Sequence, residues 1–86
     1  MMSDENKEIL EKIGEAIKKE RERKNLSLRQ LAKKIGVSHM VISQWENGLQ
    51  EIGAINLFKI SDELGIKIIQ FSKMAKNAKS KFTEHK

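Results

Sequence analysis

The side chains of this sequence that could do chemistry gather in VSHMVISQWENG, residues 37–48. There Ser38, His39, Ser43, Gln44 and Asn47 stand together, with Met40 among them. Hydroxyls, an imidazole and carboxamides can all make bonds or break them given the right partners, but those partners are missing. The chain has no cysteine and no tyrosine, and neither His39 nor His85 has a nucleophile or carboxylate at a recognisable spacing. The two histidines lack the spacing of a metal-ligand pair, and the absence of cysteine removes the commonest structural zinc sites. The sequence therefore predicts no catalytic residue, no metal and no cofactor. What these residue types can do at this density is donate and accept hydrogen bonds, which is recognition chemistry.

Recognition needs a scaffold, and hydrophobic periodicity supplies one. Residues 4–24 carry Ile9, Leu10, Ile13 and Ile17 at spacings of three and four among alternating charges, with Asp4 and Glu5 at the start. That pattern predicts an amphipathic helix with acids at its positive end. Asn25, which tolerates the left-handed conformation, is its expected stop. Ser27 followed three residues later by Gln30 reads as a capping box, and Leu28, Leu31, Ala32 and Ile35 then repeat at helical spacing over 28–35. Gly36 breaks this helix and Ser38 starts another over 39–47, with Ile42 and Trp45 facing inward. Asn47-Gly48 also occurs in β-hairpins, but its flanks here are helical and favour a helix stop. A fourth helix is expected over 54–64, ended by Gly65. For residues 67–79 the run IKII has strand character, whereas Phe71, Met74, Ala75, Ala78 and Phe82 fall on a helical stripe, which favours a fifth helix. The expectation is an all-α, compact five-helix domain over residues 1–72, with a basic helix end and tail over 73–86.

Two short helices joined through Gly36-Val37-Ser38 form a helix-turn-helix. Gly36 permits the sharp turn, Ala32 lets the helices approach, and Ile35, Val37, Ile42 and Trp45 lock the second helix onto the first. The second helix then protrudes with its N-terminal residues foremost, the geometry that enters a DNA major groove. From IGEAIKKERERKNLSLRQLAKKIGVSHMVISQWENG through NLFKISDELGI the sequence resembles the Cro- and repressor-type helix-turn-helix regulators, also called xenobiotic-response-element-like. Its most specific pieces are LSLRQLAKKIGVS, ISQWENG and LFKISDELG.

The resemblance implies that His39, Met40, Ser43 and Gln44 read bases. Their chemistry is suited to it: Gln44 can bond an adenine edge with both carboxamide atoms, His39 can donate to guanine, and Met40 can lie on a thymine methyl. It also implies phosphate contacts from Ser27, Ser38 and Asn47, with Arg29 adding charge at a helix start. Arg21 and Glu46 occupy positions that pair in relatives and orient the second short helix, and Trp45 is assigned to the core. Lys33 and Lys34 are read as solvated helix charges. Ile66, Ile68, Ile69 and Phe71 exceed the needs of one small core, and in relatives the last helix builds a symmetric dimer, so they are expected at a homodimer interface.

Three departures from the family stand out. Leu28 replaces a glutamine that commonly bonds phosphate, Glu20 replaces an apolar residue, and the loop LQEIGAI at 49–55 has no base and carries Glu51. The net charge of +5 is concentrated at the end of the chain: residues 1–25 balance, while residues 73–86 sum to +4. A basic amphipathic tail can touch a membrane surface or a partner; dimer packing followed by a frayed lysine tail is the simpler expectation. No run is long and apolar enough to span a membrane, and the polar, acidic N-terminus is not a secretory signal, so the cytoplasm is the expected compartment. The function expected is sequence-specific regulation of transcription, as a repressor dimer on double-stranded DNA at a near-palindromic operator. The alternative is an antitoxin or protein-interaction module that keeps the fold and binds a protein partner.

Overall fold

A computed structural model describes residues 3–78, which form five α-helices and no strand. They are α1 (Asp4–Arg23), α2 (Leu28–Ile35), α3 (His39–Glu46), α4 (Ala54–Leu64) and α5 (Ile68–Ala78). The helix ends follow from local chemistry. Ser3 caps α1 by accepting from the Asn6 N–H at 3.1 Å, and Asn25, at φ 58°, closes it in the left-handed conformation expected of it. The N–H of Leu26 then reaches back to the Arg21 carbonyl at 3.0 Å and that of Asn25 to Glu22 at 2.9 Å, so carbonyls of the last turn gain partners beyond the helix.

The capping box of α2 is complete. Gln30 N–H donates to Ser27 Oγ at 3.0 Å, and Ser27 N–H donates to Gln30 Oε1 at 2.7 Å. Ser27→Ala is expected to lower stability by about 1 kcal/mol, with a smaller loss for Gln30→Ala, which removes only the return bond. Equilibrium urea denaturation of the two variants checks this ordering. The β-branched pair Ile68-Ile69 begins a helix rather than a strand because Gln70 takes the Lys67 N–H at 2.7 Å, one half of the same device.

The core lies where α1 packs on α3 and α5, and α2 on α3 and α4. Ile17, Leu31, Ile42, Ile60 and Leu64 are its most deeply buried members. On α4, Leu57, Ile60 and Leu64 turn toward the core, while Ile55 and Phe58 are exposed.

The expected dimer set divides. Ile66 and Phe71 are each 4 % exposed within the single chain and belong to its own core, so they are not free to pair two subunits. The reason is geometric: α5 packs on α1, and Phe71 on α5 and Ile66 in the α4–α5 connection both join the buried core cluster. Ile68, 41 % exposed, and Ile69, 57 % exposed, remain at the surface. Of the expected tail stripe, Phe71 is buried and Met74 packs against the core beside α1. The helix therefore turns that side toward its own chain rather than outward. Phe82, His85, Lys79, Lys81 and Lys86 lie outside the described residues.

Candidate nucleic-acid interface

The turn between α2 and α3 is made by Gly36 at φ 89°, a conformation that strains any residue with a Cβ. The N–H groups of Gly36 and Val37 both return to the Ala32 carbonyl, at 2.7 and 3.1 Å, and Ser38 opens the next helix at once by accepting from Val41 N–H at 3.2 Å. With 3.6 residues per turn, α3 then has two distinct sides. Ile42, Trp45 and Glu46 are buried. His39 and Ser43 are half-buried, and Met40 and Gln44 are exposed. The structure thus brings the four expected base-reading residues to one outward arc, and none of their side chains has a hydrogen-bond partner among the described residues.

Two contacts from α1 fix the angle at which that arc is presented. Arg21 Nε donates to Glu46 Oε2 at 2.6 Å and its Nη2 donates to Glu46 Oε1 at 3.0 Å, while Nη1 donates to the Leu26 carbonyl at 2.8 Å. Glu46 sits at the C-terminal, negative end of α3, an unfavourable place for a carboxylate, and the arginine offsets that. The hydrogen bond with Glu46 raises the guanidinium above its ordinary value; burial opposes this, and the charges of Glu46 and Glu22 add to it. Because the folded value is the higher one, the arginine's contribution is complete throughout the neutral range and is lost only in strong alkali. Arg21 is buried in this pair, whereas its neighbour Arg23 pairs on the surface, with Glu20 at 2.7 Å.

The second contact is Gly14, which the sequence reading passed over. A Cβ at Gly14 would lie 2.3 Å from the Trp45 carbonyl oxygen and 2.5 Å from that of Glu46. The backbone of α1 touches the backbone of α3 there. Its signal in the sequence is an isolated glycine on the inward stripe of a helix, between Leu10 and Ile17, where a packing reason is the usual one. Trp45 itself is buried as expected, with its indole Nε1 in no hydrogen bond.

The expected phosphate contacts are exposed but already employed locally. Ser27 and Ser38 oxygens accept cap bonds, and Asn47 Nδ2 donates to the Ser43 carbonyl at 2.8 Å. Each serine hydroxyl keeps its proton, and Asn47 keeps a second amide proton, so all three can still donate to an anion. Arg29 is exposed on the first turn of α2, and Leu28 packs against the core. Beyond α3, Leu49 and Glu51 are exposed and Ile52 packs inward.

A family model described as helix-turn-helix matches residues 17–71, the segment from the middle of α1 to Phe71. The chain belongs to that helix-turn-helix family. A comparison with curated proteins finds no match. Among solved structures, this helix-turn-helix protein is similar to two of the clp gene regulator ClgR from Corynebacterium glutamicum. One is 27 % identical, with a TM-score of 0.71 over 81 % of this chain and 90 % of that one. The other is 25 % identical, with a TM-score of 0.72 over 88 % and 81 %. Family and fold together support a DNA-binding regulator of transcription. No helix among the described residues is long and apolar enough to cross a membrane.

Proposed function

We propose that this helix-turn-helix protein is a sequence-specific regulator that binds double-stranded DNA as a homodimer on a near-palindromic site, and that it represses transcription by occupying it. The observation that carries this reading is the division of α3 into a buried inner side and an outer arc whose side chains have no hydrogen-bond partner among the described residues. His39, Met40, Ser43 and Gln44 read base edges; Ser27, Arg29, Ser38 and Asn47 hold phosphates. Two subunits set their reading helices in successive major grooves about 34 Å apart. Ile68 and Ile69 contribute the apolar contact between subunits. The likeness to a gene regulator supports the same reading.

Selection from random duplex DNA tests it, with the wild type and Gln44→Ala compared at near-physiological salt. A two-fold symmetric motif is expected, relaxed in the variant at matching positions of both half-sites. Each lost bidentate contact weakens discrimination by about 1–3 kcal/mol. No enriched motif from the wild type sinks the proposal. One observation favours a second reading, a protein-interaction module: Leu49, Ile55 and Phe58 are exposed apolar side chains in or after a loop without a base. Under it, Gln44→Glu leaves activity in the cell intact; under the first, that variant abolishes it.

A further inference from the structure

No lysine or arginine occurs between Lys34 and Lys59. The whole of α3 and the loop after it thus lack a permanent cation, and the loop carries Glu51. Phosphate neutralisation supplies much of the affinity of proteins for duplex DNA, so on the proposed function the grip must come from elsewhere on this face. A concavity of about 260 Å³ lies where α2 meets the start of α3, lined by Arg29, Ala32, Lys33, Val37, Ser38 and His39. No carboxylate lines it. Arg29 and Lys33 stand four residues apart, on one side of α2, and neither has an ion pair or hydrogen bond among the described residues. The nearby lysines are engaged: Lys34 Nζ lies 3.4 Å from Glu63, and Lys59 Nζ donates to the Ile35 carbonyl at 3.3 Å.

We infer that Lys33 and Arg29 form a two-cation cradle for one DNA phosphodiester. Lys33, expected from the sequence to be a solvated helix charge, thereby gains a ligand. The inference rests on the proposed DNA-binding function and gives it a direction. The cradle shares His39 with the base-reading arc, so the phosphate it holds is next to the bases that α3 reads. Electrostatic attachment is concentrated at the N-terminal end of α3, and the C-terminal side, with Leu49 and Glu51, contributes no cation and only the neutral hydrogen bond of Asn47.

The test is the salt dependence of binding by the full chain to a labelled duplex, followed by anisotropy between about 50 and 200 mM salt. Lys33→Gln is expected to make the slope of log K against log salt shallower by about 1 per subunit. The wild type's advantage over the variant then shrinks roughly fourfold per subunit across that range. Sequence preference stays unchanged, because a phosphate contact carries none. Arg29→Gln behaves likewise, whereas Lys34→Gln, whose charge is already met by Glu63, leaves the slope alone. Lys33 is exposed, and a circular dichroism melt matching the wild type shows that the variant is folded. A wild-type slope in Lys33→Gln overturns the cradle while leaving the DNA-binding reading intact. So does an altered base preference at constant slope. A wild type that retains no duplex at any salt overturns both.

Discussion

Glu46→Ala is expected to destabilise the folded chain by about 3–5 kcal/mol. The loss is large because what remains is an arginine whose side chain is only 10 % exposed, facing the space its carboxylate filled. A buried charge stripped of its partner keeps its desolvation penalty and loses its compensation. Small domains hold only about 5–15 kcal/mol in all, so the variant should sit near the edge of folding at room temperature. Denaturant titration gives the number. The companion variant Arg21→Met with Glu46→Leu separates two meanings of the pair. If it recovers most of the stability, the ion pair orients α3 more than it holds the domain together, and its cost should appear in DNA discrimination instead. A loss below about 1 kcal/mol for Glu46→Ala, the range of surface pairs, contradicts the buried geometry.

The second large effect belongs to Gly14. Alanine is the better helix former by about 1 kcal/mol, so propensity alone says that Gly14→Ala should stabilise α1. The structure predicts the opposite sign. The added Cβ would meet two carbonyl oxygens of α3 at 2.3 and 2.5 Å, and backbone atoms cannot swing aside as a side-chain end can. α1 and α3 must move apart, with a cost at or above the upper end of the 1–3 kcal/mol typical of overpacking, about 3 kcal/mol. For a domain of this length that corresponds to a fall in Tm of roughly 12–24 °C. Calorimetry checks it, and an unchanged or raised Tm refutes the close approach. The same variant should also weaken base discrimination, since the arc bearing Gln44 is tilted along with its support.

Most of the architecture was legible because its boundaries are chemically marked. Ser27 with Gln30, Gly36, Ser38 and Gly65 each announce a helix end, and α2 and α4 fall on the expected residues 28–35 and 54–64. The outward arc of α3 was legible too, since Ile42 and Trp45 fix which side faces in. What could not be read depends on tertiary approach. Periodicity says that Phe71 is on an apolar stripe, but not whether α5 presents that stripe to α1 or to another subunit. Ile55 and Phe58 show the converse: apolar residues that spacing places on α4 and packing leaves outside. Gly14 was missed because a glycine within a helical pattern carries no sign of what lies 2.3 Å from its missing Cβ. Lys33 looked like its neighbour Lys34 until the structure gave one of them a carboxylate and the other an open concavity.

The chain has one tryptophan, and it lies on the inner side of α3 with its indole buried. That makes the domain its own optical gauge. Emission from Trp45 should be blue-shifted and poorly quenched by iodide in the native state, then move to the red in one step as the α1–α3 contact opens. Because the ring lies on the inner side of α3, a duplex docking on the outer arc should leave the spectrum nearly untouched. A spectral change on adding DNA would mean that α3 itself repacks as the duplex binds, so a cuvette and no label can distinguish rigid docking from induced fit.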